Sequence, residues 1–128
     1  MFSFSIQLTV LSRFQLLPFR LDGARLVVAL GDMLELGQLS DEMHRQAVRD
    51  VADASPDQFL AVGPAMGAAC QTALDGAPLL SMRAYADSRE AASGIRAIVR
   101  RGDVVLVKGS RGIEMEKLIE ALEKIPIA

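Results

Sequence analysis

Three continuous apolar runs set the frame for this chain: Leu26-Val27-Val28-Ala29-Leu30, Phe59-Leu60-Ala61-Val62 and Val104-Val105-Leu106-Val107. A strand that is apolar on both faces belongs inside a sheet covered on both sides; one solvated face would force alternation. Between these runs the apolar residues change to helical spacing. Met43, Ala47, Val48, Val51 and Ala52 mark one stripe, and Ala68, Ala69, Ala73 and Leu74 a second. Ala91, Ala92, Ile95, Ile98 and Val99 mark a third, and Met115, Leu118, Ile119 and Leu122 a fourth. Leu79 to Tyr85, of mixed polarity, takes the remaining strand place. Strand and helix therefore alternate four times. Connections of this length imply right-handed crossovers, because hairpin turns would need only a few residues.

The punctuation agrees with this rhythm. Ser40, followed by Asp41 and Glu42, reads as a helix start, with a side-chain oxygen and negative charge at the positive dipole end. Pro64 suits the first position of the second helix, and Asp87-Ser88-Arg89-Glu90 reads as a capping box led by Asp. Ser55-Pro56-Asp57 and Arg101-Gly102-Asp103 turn the chain into strands, and Asp75-Gly76 ends a helix. The fold expected over 24–128 is a Rossmann-like three-layer α/β domain, a mostly parallel sheet with helices on both faces. Residues 1–23 stand apart as an atypical N-terminal segment. There Phe2, Phe4, Ile6, Leu8 and Val10 alternate with polar residues, the period of an edge strand. An edge strand exposed in this way invites self-association, so a homo-oligomer is expected.

The 128 residues suit one domain. Fourteen basic and sixteen acidic residues are interspersed to a net charge of −2, with no basic stripe, which argues against a nucleic-acid partner. No apolar run is long enough to span a bilayer, and the N-terminus lacks the pattern of a secretory signal. With Cys70 as the single cysteine no internal disulfide forms, which fits a cytoplasmic protein. Cys70 among alanines reads as a small core residue, and the six methionines as gap fillers. His44 falls in the first turn of a helix read as surface-facing, with no second histidine, so no metal site is expected.

In open α/β sheets ligands bind beyond the carboxyl ends of the strands. Gly31-Asp32 ends the first apolar run, and Lys108-Gly109-Ser110-Arg111-Gly112 ends the last. If those strands are neighbours, Gly31, Asp32, Lys108, Gly109, Ser110 and Arg111 share one rim. Lys108 and Arg111 suit a carboxylate or phosphate, and Asp32 an ammonium group or Lys108 itself. Backbone amides of the helix after Gly112 would add an anion site. The plainer reading keeps both stretches as turns, with Ser110 as a cap. Gly63-Pro64-Ala65-Met66-Gly67 lacks the first G-x-G of a dinucleotide fingerprint and reads as helix-start chemistry. The order of a Walker A loop is absent. Glu35 reads as solvated.

Gly31-Asp32-Met33-Leu34-Glu35-Leu36-Gly37, then His44, then Ala61-Val62-Gly63, then Val105-Leu106-Val107-Lys108-Gly109-Ser110-Arg111-Gly112, resemble the C-terminal domain of the Mur ligases, in the branch that adds D-Ala-D-Ala. The resemblance covers roughly residues 24 to 124. It implies an ATP- and magnesium-dependent ligase of peptidoglycan biosynthesis. In that family the carboxylate of UDP-MurNAc-tripeptide becomes an acyl phosphate, which the amine of D-Ala-D-Ala attacks. The C-terminal domain acts as a lid on a central ATPase domain and helps hold the dipeptide. It implies that Gly31, Asp32 and the 108–111 loop face the cleft between those domains. The motifs of the ATPase and UDP-sugar domains are not in this sequence. The expectation is therefore a chain that binds no cofactor and is inactive alone, with ATP and Mg bound mainly by the central domain. The competing reading is a non-catalytic or receiver-like α/β module. A receiver, however, needs an acid at the end of its middle strand, where this chain has Val62-Gly63-Pro64, and an acidic pair where Asp32 stands alone.

Overall fold

A computed structural model describes residues 5–8, 25–34, 36–72, 82–100 and 103–123. The strands are β1 (Ser5–Leu8), β2 (Leu26–Gly31), β3 (Gln58–Val62), β4 (Met82–Tyr85) and β5 (Val104–Lys108). The helices are α1 (Ser40–Ala54), α2 (Pro64–Thr72), α3 (Ser88–Ile98) and α4 (Glu116–Glu123). Readings that fell on Phe2, Phe4, Val10, Glu35, Ala73, Leu74, Asp75-Gly76, Leu79 to Ser81 and Arg101-Gly102 lie outside the described residues.

All four strand pairings among the described residues are parallel, in the order β1-β5-β2-β3-β4. The apolar runs take the central places. β2 lies between β5 and β3, its residues paired from Leu26 opposite Val104 and from Val27 opposite Gln58. Pleating then sends successive side chains to opposite faces. Leu26, Val28, Leu30, Phe59, Ala61, Val104 and Leu106 meet Val48 and Val51 of α1 and Met66, Ala69 and Cys70 of α2. Val27, Ala29, Leu60, Val62, Val105 and Val107 meet Ala91, Ile95 and Ile98 of α3 and Leu118 and Leu122 of α4. Each Val, Leu, Ile, Phe or Met side chain taken fully out of water here contributes about 1.5–3 kcal/mol, so unbroken apolar runs are the economical composition for a two-sided sheet. Burial also pushes the Cys70 thiol up to about 11, which leaves it an inert core group.

Chain order and sheet order part company at one place. From β2 the chain moves outward to β3 and β4 with α1 and α2 on one face. It then returns through α3, on the other face, to β5 on the far side of β2. The reversal of direction opens a crevice between the carboxyl ends of β2 and β5, where ligands of such sheets sit. The opposite edge is fastened by acids. Asp57 Oδ2 accepts from Leu26 N–H at 2.7 Å. Buried Asp103 accepts from Arg100 N–H at 2.7 Å and from Arg25 Nε at 3.1 Å, while Arg25 also donates to Ile98 C=O at 2.8 Å.

Two local readings are corrected. Ser40 is the first residue of α1 and does not cap it; a 3-10 turn at Gly37–Leu39 runs directly into the helix and takes over its start. His44 is not surface-facing but 1% exposed, turned under the loop that follows β2. Asp87, by contrast, caps α3 by accepting from Glu90 N–H at 2.9 Å.

Candidate functional site

The two turns at the crevice touch through backbone. Leu30 stands opposite Lys108 in the last register pair, which brings Gly31 beside Gly109. A Cβ on Gly109 would lie 3.1 Å from Gly31 Cα and 2.7 Å from Met115 Cγ. A Cβ on Gly31 would lie 2.7 Å from Met115 Sδ. The paired glycines therefore permit an approach no side chain allows. Two hydrogen bonds cross the gap: Ser110 N–H donates to Asp32 C=O at 3.1 Å, and Leu34 N–H donates to Ser110 Oγ at 2.7 Å. Gly31, Asp32, Lys108, Gly109, Ser110 and Arg111 are thus together at one lip of the sheet.

Asp32 does something other than the sequence suggested. It is 5% exposed, and its carboxylate accepts from Met66 N–H at 2.7 Å and Ala65 N–H at 3.2 Å. It caps α2 from a different strand, where the helix dipole favours its charge. The expectation that this carboxylate is offered to an ammonium group or to Lys108 is corrected, since its oxygens face the helix start. Asp32 instead fastens the rim to α2, and its own N–H donates to Val62 C=O at 3.0 Å.

The cationic side of the rim is more open. Lys108 is half-buried beside Leu30, Gly31, Met33, Ala47 and Met66, around a cavity of about 20 Å³. A space that small holds at most a water, so a larger ligand must lie along the open rim. Desolvation holds Lys108 below the usual lysine range, partly countered by Asp50. Arg111 is exposed in a 3-10 turn, Arg111–Ile113. The expected anion site at the following helix is not where the sequence put it. Glu114 takes a left-handed conformation with φ of 58°, α4 starts only at Glu116, and Glu114 pairs with Lys117 at 3.0 Å. That helix start is acidic.

His44 is the rim residue that sequence reasoning undervalued. Its Nε2 accepts from Met33 N–H at 2.9 Å, and its Nδ1 lies 2.6 Å from Ser40 C=O. The available signal was its spacing, one turn behind Ser40 and adjacent to the apolar stripe of α1. Among the described residues the exposed large apolar side chains are Leu34, Leu39 and Met43, all in the segment leading from this rim into α1. Among the described residues no three His, Cys, Asp or Glu side chains converge to hold a metal, and no helix is long and apolar enough to cross a membrane.

This arrangement has counterparts. Residues 10–111 match the family model for the Mur ligase, glutamate ligase domain. The chain belongs to the Mur ligase family. The match begins inside the segment 1–23 that the sequence set apart. Curated Mur ligases similar to the chain include the UDP-N-acetylmuramoyl-tripeptide–D-alanyl-D-alanine ligase of Bacillus subtilis, 26% identical over 102 residues, covering 80% of this chain and 22% of that protein. The Treponema pallidum ligase of the same name is 35% identical over 102 residues, covering 77% of this chain and 21% of that protein. Among solved Mur ligases, MurF of Acinetobacter baumannii aligns at TM-score 0.63 and 31% identity, covering 78% of this chain and 22% of that one. MurF of Thermotoga maritima, solved in complex with ADP, aligns at TM-score 0.60 and 24% identity over 79% of this chain and 22% of that one, and supports the fold alone. The chain thus corresponds to the C-terminal Mur ligase domain and spans about a fifth of the length of the curated relatives it matches.

Proposed function

We propose that this domain forms one wall of the site at which a Mur ligase joins D-Ala-D-Ala to UDP-MurNAc-tripeptide, acting in the cytoplasm as the lid over a nucleotide-binding domain. The observation that carries this reading is the juxtaposition of Lys108, Ser110 and Arg111 with Gly31 at the reversal point of the sheet. Lys108 and Arg111 bind the dipeptide carboxylate, Arg111 in forked fashion, and closure aligns the dipeptide amine with the activated tripeptide and excludes water. The names of the relatives support the substrate class. On this reading ATP and Mg²⁺ are held mainly by a central domain, since this sequence lacks the order of a phosphate-cradling Walker A loop. There they would supply activation of the tripeptide carboxylate.

Titration calorimetry tests the reading. D-Ala-D-Ala should bind far more tightly when the remaining domains of a ligase are supplied separately than to this chain alone. Equal heats in both mixtures would overturn it. In a ligase whose matching segment is replaced by this chain, Arg111→Ala should lower kcat/KM by about 30-fold, roughly 2 kcal/mol, through loss of a charged contact that closure desolvates. Dipeptide affinity should also fall as pH rises. Because Lys108 loses its proton below the usual lysine range, the decline begins at lower pH than for an exposed lysine, and Lys108→Arg should extend binding to higher pH.

A further inference from the structure

His44 is buried, and its hydrogen bonds run to Met33 and Ser40 rather than to the cationic groups the proposed function uses. Its two ring nitrogens are nevertheless both committed. Nε2 must be an acceptor, because Met33 N–H donates to it at 2.9 Å. Nδ1 must then carry the proton, which it gives to Ser40 C=O at 2.6 Å. The imidazole is a rigid strut from the first turn of α1 to the backbone just beyond Gly31-Asp32. The next residue, Leu34, donates its N–H to Ser110 Oγ at 2.7 Å. With its oxygen accepting that bond, the Ser110 hydroxyl keeps its own proton, for which no acceptor occurs among the described residues. A hydroxyl polarised in this way is a donor toward a carboxylate or phosphate oxygen.

We propose that His44 is a positioning residue: through Met33 and Leu34 it fixes the backbone that orients the Ser110 hydroxyl as a donor to the anionic end of a ligand on the rim. The strut sets where the Leu34 N–H points, and that N–H sets the Ser110 rotor. The strut acts beside two other holds, the anchored Asp32 one residue earlier and the packing of Met33 on the core, and it is the one that engages the Met33 N–H. The assignment of an anionic dipeptide as the ligand rests on the proposed function; the strut itself does not.

His44 is the single histidine of the 128 residues, so its signals in a spectrum of the full chain need no assignment. Long-range proton–nitrogen correlation should show the Nδ1–H form with Nε2 as an acceptor. Amide exchange separates the strut from a general packing role. His44→Gln places an acceptor near the Nε2 position, whereas His44→Asn reaches only as far as Nδ1. In His44→Ala and His44→Asn, exchange at Met33 and Leu34 should accelerate by about tenfold or more relative to β5 amides, and His44→Gln should restore it. Uniform acceleration across β5 in all three variants, or no rescue by Gln, would overturn the proposal. The Nε2–H form in the wild-type chain would do so as well. The ligand arm uses D-Ala-D-Ala at millimolar concentration, read at the Ser110 and Arg111 amides. His44→Ala should weaken the response several-fold and His44→Gln should recover it; a wild-type response that His44→Ala leaves unchanged would also overturn the proposal. A wild-type chain silent to the dipeptide even with the remaining ligase domains supplied, its exchange pattern intact, would overturn the dipeptide reading while supporting the strut.

Discussion

Gly63→Ala should lower the unfolding free energy by about 3–4 kcal/mol, measured as the shift in a urea or thermal transition. Two costs add. Gly63 sits at φ of +106°, where an L side chain is strained by roughly 1–3 kcal/mol. Its Cβ would also lie 2.4 Å from Asp32 Cγ and 2.6 Å from each carboxylate oxygen. That carboxylate cannot swing aside without releasing α2, so the overlap costs roughly 1–3 kcal/mol more. Gly67, four residues on within α2, is the control: a Cβ there meets nothing within 4 Å. Gly67→Ala should be neutral or stabilise by up to about 1 kcal/mol, because alanine is the better helix former. Similar losses at the two glycines would show that the Asp32–Gly63 contact is not what makes position 63 intolerant.

Asp32→Ala should cost about 2–3 kcal/mol. The substitution removes a buried charge-assisted cap and leaves the amides of Ala65 and Met66 without their acceptor. Asp32→Asn should cost less, about 1–2 kcal/mol, because one oxygen remains while the amide group presents a donor to a donor. The two sites are predicted to be coupled. Once the carboxylate is gone, the overlap at Gly63 disappears and only the backbone strain remains. The double variant should then be less destabilised than the sum of the two single ones, by about 1 kcal/mol or more. Strict additivity would mean that the Asp32 side chain already leaves the α2 start in solution.

Much of this architecture is written in local chemistry. The apolar runs of β2, β3 and β5 announce strands covered on both faces, and they occupy the centre of the sheet. Asp87 announces its cap because capping acts over three residues, and Pro64 its helix start because the ring fixes φ. What escaped the sequence depends on partners far along the chain. Asp32 is legible as an acid after a strand, but its engagement by Ala65 and Met66 follows from strand order, which no local pattern encodes. His44 reads as a surface residue because a polar side chain on an amphipathic helix usually faces water; its burial goes with the Met33 amide that reaches it from the loop after β2. The Arg111 side of the rim was anticipated as a helix start, and Glu114 shows why it is not: a left-handed residue interposes a 3-10 turn before α4.

Each of the paired turns is held from a different layer. The Asp32 turn is tied to α2 on one face, and the Gly31–Gly109 contact is wedged by Met115 from the opposite one. Neither turn can flap without loosening a helix. Motion that brings this edge to a partner therefore has to carry the whole body as one unit, like a jaw rather than a pair of fingers. On the proposed reading, a dipeptide landing here would meet turns already held in place, and little of their chain freedom would be surrendered in gripping it.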